Sequence, residues 1–226
     1  MSKLKSLVTL MSLASVTAMA SDVITIEDIP KIKSVRDSVI SPSGDHIAFT
    51  RTLPRELYVD KNGASYSGLY ITDTKGNARP FITGKVNVGA LEWSADGKFV
   101  YFLAKFKGEK FTQLYRIPVD GGEREKVLAL KDTSISRYDI SPDGKQVALL
   151  AMPAKDKSDK KLKELGFQAE VYEMDLKNKQ LFITDLAVQA KALSLTPVDI
   201  SGYVSDMNWA ADNAQLLVKT QPTALI

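Results

Sequence analysis

Little in this chain is suited to covalent chemistry. Its 226 residues include no cysteine and a single histidine, His46. That removes disulfides, thiolate metal sites and cysteine nucleophiles together. It leaves almost no material for histidine-based metal or acid–base work. A serine nucleophile on a strand-to-helix elbow needs the spacing G-x-S-x-G. The nearest string, Gly63-Ala64-Ser65-Tyr66-Ser67-Gly68, has the wrong spacing and falls between two expected strands. No Ser/Asp/His triad can be assembled. The sequence therefore predicts no catalytic residue, no metal ligand set and no cofactor. A calcium loop is equally unsupported, because no dense D-x-D-x-D-G string occurs.

Binding groups are the remaining candidates. Glu170, Glu173 and Asp175 form an acidic cluster, readable as ordinary surface acids or as a site for a cation. Tyr58 and Tyr66 belong to one long loop and are candidates to face a substrate. The run Lys155–Glu164 is dense in both charges and reads as a solvated insertion, with a partner-binding loop as the sharper alternative. Leu162 and Leu165, three apart, with Gly166 after them, fit a short helix there.

The elements that must position these groups emerge from a repeat. Four strings recur: Ile40-Ser41-Pro42-Ser43-Gly44, Trp93-Ser94-Ala95-Asp96-Gly97, Ile140-Ser141-Pro142-Asp143-Gly144 and Trp209-Ala210-Ala211-Asp212-Asn213. Each is a large apolar residue followed by a tight-turn signal, with Pro presetting φ and Asp capping through its side chain. Gly44, Gly97 and Gly144 supply positive φ, and Asn213 is among the few other residues that tolerate it. After each turn comes an apolar triplet: Ile47-Ala48-Phe49, Val100-Tyr101-Phe102, Val147-Ala148-Leu149 and Leu216-Leu217-Val218. Such triplets predict strands buried on both faces. The shared position of Trp93 and Trp209 argues for packing between repeats. His46 stands two residues after its turn glycine, where the other copies have Phe99, Gln146 and Gln215, and reads as a strand-rim residue.

A third strand recurs at Leu69–Asp73, Leu114–Pro118 and Leu181–Asp185, and a fourth at Pro80–Thr83, Lys126–Leu130 and Lys191–Leu195. Four antiparallel strands per unit match one blade of a β-propeller. The expected fold is therefore all-β: three complete four-stranded blades plus the first hairpin of a fourth. Their bounds are about 34–83, 88–130, 135–195 with an insertion at 154–178, and 204–220. Length varies mainly between the second and third strands, since Gly44 to Leu69 spans 25 residues, Gly97 to Leu114 spans 17 and Gly144 to Leu181 spans 37. That places the elaborated loops on one face, the side on which repeat proteins often work.

Residues 1–20 read as a signal peptide: Lys3 and Lys5, an apolar run too short to span a bilayer, then Ala18-Met19-Ala20. Cleavage after Ala20 predicts a periplasmic or secreted product with no stable membrane span. It also removes two lysines, lowering the formal charge from +3 to +1, and nothing of a nucleic-acid signature survives. Residues 21–226 would form one partial propeller domain. At 44% hydrophobic and 25% charged, the composition is that of an ordinary globular chain.

The turn-plus-strand strings resemble the WD-type, TolB-like propeller motif. Longer strings go further: Pro54-Arg55-Glu56-Leu57-Tyr58, Leu69-Tyr70 and Arg79-Pro80-Phe81-Ile82-Thr83-Gly84-Lys85. With Gly166–Glu173 and Gln221–Ile226, they resemble the N-terminal propeller of exported bacterial peptidases of the prolyl oligopeptidase family, in the dipeptidyl and acylaminoacyl branch. The resemblance covers residues 22–226. It implies a ring of about seven or eight blades and a C-terminal α/β-hydrolase domain carrying the triad, which this sequence does not contain. It also implies a chain truncated before that domain, inactive alone, whose propeller admits short peptides to the hydrolase. Propeller glutamates in such enzymes hold the substrate's free amino terminus, a role that would fall to Glu170 and Glu173, with Tyr66 as a further contact. The partners expected are then a peptide substrate, through the missing domain, and a protein at the open propeller edge. The alternative is a non-catalytic TolB-like envelope propeller that binds another protein. A lactonase-like metal propeller, the third reading, predicts tight calcium or zinc binding.

Overall fold

The turn strings fold as their chemistry dictates. In a computed structural model describing residues 24–25, 28, 31–56, 58–153, 161, 164–167, 177–188 and 191–223, all four turns share one geometry. Gly44, Gly97, Gly144 and Asn213 have φ of 77°, 69°, 70° and 60°. Each donates its N–H to the carbonyl three residues back: Ser41, Ser94, Ser141 and Ala210. The serine hydroxyls close the same turns, accepting the N–H of His46, Phe99 and Gln146 at 3.0, 2.9 and 2.9 Å. Asp96 and Asp143 accept from those hydroxyls in turn, which holds both carboxyls below the usual range.

Among the described residues thirteen strands follow, all pairing antiparallel. The first sheet has the order β1(Val35–Ile40), β2(His46–Leu53), β3(Tyr66–Asp73), β4(Ala78–Ile82). The second has β5(Gly89–Trp93), β6(Phe99–Ala104), β7(Gln113–Pro118), β8(Glu125–Leu128). The third holds β9(Ile135–Ile140), β10(Gln146–Ala151), β11(Gln180–Asp185), and the last is the hairpin β12(Tyr203–Trp209), β13(Leu216–Gln221). All-β architecture built of antiparallel meanders is thus observed.

One expected strand is absent from its ladder. Among the described residues the third sheet has three strands, and 191–195, expected as its fourth, makes a single parallel bridge from Leu193 to Leu130. Leu193 donates to Ala129 O and accepts from Lys131 N, both at 2.8 Å. Leu193 and Leu195 pack on the cluster between the second and third sheets, so burial draws this segment off the sheet edge.

Alternation along each strand then stacks the sheets. Val100, Phe102 and Ala104 face Ala48, Leu69 and Ile71 of the first sheet, while Tyr101 and Leu103 face Val147 and Leu149 of the third. Ala148, Leu150 and Leu181 face Val204 and Met207 of the last. The both-faces burial expected of the apolar triplets is complete in the middle sheets. It is partial in the first and last, where Phe49 is half-buried and Leu217 is 74% exposed.

Asn213 does more than tolerate its backbone angle. Its Oδ1 accepts the Asp143 N–H at 2.7 Å, tying the third turn to the fourth across 70 residues. Asn213→Gly keeps the positive φ but loses that bond, so a loss of about 0.5–1.5 kcal/mol is expected in urea unfolding. An unchanged midpoint would show the link to be energetically idle.

Candidate functional site

The β2–β3 connection is organised by Arg55. Its Nε donates to Ala64 O at 2.7 Å, and its Nη1 to Lys61 O at 3.0 Å and to Tyr66 Oη at 2.9 Å. The guanidinium lies 4.3 Å from the centre of the Tyr66 ring, a cation–π contact. Asp60 caps the Glu56 N–H at 3.0 Å and pairs with Lys85 Nζ, which holds the Asp60 carboxyl below its ordinary range. This framework displays Tyr58, fully exposed with φ of 67°, beside Val59, 63% exposed. A bulky residue in the left-handed region is a strained conformation that this framework holds in place. Tyr66, named from the sequence, is half-buried and its hydroxyl is engaged by Arg55. Glu170, Glu173 and Asp175 lie outside the described residues, so the three sequence candidates are not seen together.

His46 opens β2, and its Nδ1 lies 2.9 Å from Asp45 Oδ1. Hydrogen bonds from Ser43, His46 and Ser41 push the Asp45 carboxyl well down. Ser67, inside the glycine-flanked string, is buried and donates to Val88 O at 2.6 Å. The Ser67 hydroxyl is thus committed to backbone. Among the described residues no group of three or more His, Asp or Glu is arranged to hold a metal.

A second locality was not anticipated from the sequence. The first strands of successive sheets lie side by side, and each sends a carboxylate to the next. Asp37 Oδ2 accepts the Leu91 N–H at 3.1 Å, Glu92 Oε1 accepts the Ile140 N–H at 3.2 Å, and Asp139 Oδ2 accepts the Trp209 N–H. Side chains donate the other way: Trp93 Nε1 to Val39 O at 3.0 Å, Tyr138 Oη to Ala90 O at 2.7 Å, and Trp209 Nε1 to Asp139 O at 3.1 Å. The two tryptophans therefore clamp neighbouring sheets. The available signal was an acid recurring in each first strand, five or seven residues before the turn.

These carboxylates share a cleft of about 510 Å³ with Arg137, Tyr138, Lys179, Ser136 and Ser205. Burial, and then the nearby charge of Asp139, push the Glu92 pKa up to about 8. Burial also raises Asp139, against the Trp209 N–H and Arg137, which lower it. Arg137 Nη2 is held by Asp206 Oδ1 at 2.7 Å. The cleft can thus keep a proton on a carboxyl near neutral pH.

No family model matches the chain, and no curated protein sequence matches it either. Solved structures do. A prolyl endopeptidase aligns over 82% of this chain at 20% identity, with a TM-score of 0.51. The acylaminoacyl peptidase of Pyrococcus horikoshii aligns over 75% at 15% identity, also with a TM-score of 0.51. The oligogalacturonate lyase of Vibrio parahaemolyticus aligns over 82% at 15% identity and the same TM-score. This chain spans 26% of each of the two peptidases and 45% of the lyase. Proteins of different chemistry share the likeness, so it is a likeness of fold alone: an all-β array of antiparallel sheets of the β-propeller kind.

Proposed function

We propose that this chain is the substrate-gating propeller portion of an exported serine peptidase of the prolyl oligopeptidase family, acting on short peptides and not catalytic by itself. The observation that carries the reading is the joint one of fold and loops. The sheets resemble part of two peptidases at TM-scores of 0.51, and the loops joining second to third strand in the first and third sheets, β2–β3 and β10–β11, are longer than their β6–β7 counterpart in the second. Gating needs a rigid, narrow screen with a few contacts at its rim, and stacked sheets tied turn to turn supply rigidity. In this reading Tyr58 contacts peptide or hydrolase from the ordered β2–β3 loop, and Glu170 and Glu173 pair with a substrate ammonium. The leader 1–20 delivers the chain to the periplasm or beyond. Among the described residues no helix is long and apolar enough to cross a membrane.

The purified mature chain is expected to leave aminoacyl-naphthylamide substrates uncleaved. Hydrolysis silenced by a serine-directed inhibitor would overturn the reading. An in-frame G-x-S-x-G in the nucleotide sequence downstream of Ile226 would support it. A second reading, a TolB-like propeller that binds an envelope protein, is favoured by the apolar side chains on the outer sheets: Val35, Ile40 and Leu217 are 58%, 67% and 74% exposed. Capture of one stoichiometric envelope protein, with no hydrolase sequence downstream, would decide for it.

A further inference from the structure

Counting from the turn residue gives each position of the second strands a facing direction. At the fourth residue after the turn stand Ala48, Tyr101, Ala148 and Leu217. The first three pack forwards, each against the sheet that follows its own. Val100, Val147 and Leu216, one residue earlier, pack backwards against the sheet before. Two faces are left over among the described residues. The last sheet presents Leu217 forwards, 74% exposed, and the first presents half-buried Phe49 and 67% exposed Ile40 backwards.

The first strands repeat this polarity. Each carries an acid, Asp37, Glu92, Asp139 and Asp206, and the first three bond forwards to an amide of the next sheet. Asp206 lies seven residues before its turn, as Asp37 does. Asp37 serves Leu91, six before its turn, and the residue so placed in the first sheet is Ser38, which is exposed. The forward face of the last sheet and the backward face of the first are thus the two halves of one more junction of a kind the chain already forms three times. Two cations set it apart. Lys219 stands where the middle sheets have Leu103 and Leu150, and Arg51 where they have Ala104 and Ala151. Lys219 can pack its stem and send its head to the rim, while Arg51 lies over the Tyr70 ring, 4.0 Å from its centre. Like charges make this junction weaker than the internal three.

We propose that the chain pairs head to tail with a second copy of itself. Leu217 of each copy packs on Ile40 and Phe49 of the other, and Asp206 reaches the Ser38 N–H. Two copies of four sheets bring eight, within the range at which propellers close, so the contact is made twice and the pair is finite. The pairing requires neither the peptidase nor the TolB-like reading.

Sedimentation equilibrium of the mature chain between about 1 and about 100 μM tests this. A two-chain mass is expected at the upper end. Leu217→Glu and Ile40→Glu each replace an exposed side chain, so both are expected to keep the wild-type circular dichroism and to stay monomeric throughout. Mixed in equal amounts they are expected to associate again, more weakly than wild type. The intact Ile40 face of one then meets the intact Leu217 face of the other, and one junction forms in place of two. If a glutamate variant does not fold, the serine variant at the same position replaces it. A monomeric wild-type chain overturns the proposal and leaves both faces to another protein or to further sheets. An open ladder of larger species overturns it too. Loss of pairing in only one of the two variants means that like faces meet, which overturns the head-to-tail order, as does a mixture that stays monomeric.

Discussion

Phe102→Ala is expected to cost about 3–5 kcal/mol of stability, enough to unfold a marginal chain at ambient temperature. Phe102 is 0% exposed at the centre of β6, between Ala48, Leu69 and Ile71 of the first sheet and the ring of Tyr115. The two rings stack at 5.9 Å with an interplanar angle of 20°, and Phe106 meets Tyr115 edge-on at 4.9 Å. Removing the phenyl group opens a cavity that the two sheets cannot collapse to fill, because each is held by its own ladder. Phe49 occupies the corresponding place in the first sheet and stacks on Tyr70 at 5.7 Å, yet it is only half-buried. Phe49→Ala is therefore the control and should cost clearly less. Urea unfolding checks both, reading a shift in midpoint at constant slope. Equal losses from the two variants would contradict the stacking order derived from the burial of the triplets.

The parts of this architecture legible from residues alone are those that local chemistry decides. Positive φ at Gly44, Gly97, Gly144 and Asn213, and the apolar triplet after each, located the turn-facing ends of eight strands, β1 and β2, β5 and β6, β9 and β10, β12 and β13, through two physical rules, turn geometry and alternation. What eluded the sequence is what depends on a neighbour far along the chain. Asp37 precedes its turn glycine by seven residues but Glu92 and Asp139 precede theirs by five. Irregularities between Val35 and Ser38 and between Gly89 and Glu92 shift the register, so no single offset exposes the recurring acid. Leu193 likewise has strand-like neighbours and a leucine spacing suited to a fourth strand. Its burial against the second sheet wins over pairing within the third. Tyr66 was read as a contact candidate on type and loop position, and only the fold places Arg55 against its ring and hydroxyl.

Gly202→Ala is expected to detach the last hairpin without unfolding the rest. The backbone at Gly202 has φ of 89°, and an added Cβ would fall 2.5 Å from Gln221 O. Strain from the left-handed conformation and the clash together amount to about 2–4 kcal/mol. The carbonyl in the way belongs to β13 itself, opposite Tyr203 at the end of its ladder, so relief requires the two strands to part there. Fewer buried apolar residues hold this hairpin to the third sheet than join the other sheets: Val204 and Met207 against Ala148, Leu150 and Leu181, with Trp209 bonded to Asp139, Asp206 paired with Arg137 and Asn213 bonded to Asp143. Stacked sheets contact only their neighbours, so a loss at one end need not propagate. Amide exchange should therefore show Val204–Trp209 losing protection first and most, while Val100–Ala104 between the first and third sheets keeps its own. A uniform loss across all four sheets would mean that the stack folds as one cooperative unit, and that the turn-to-turn bond from Asn213 to Asp143 transmits more than its single hydrogen bond suggests.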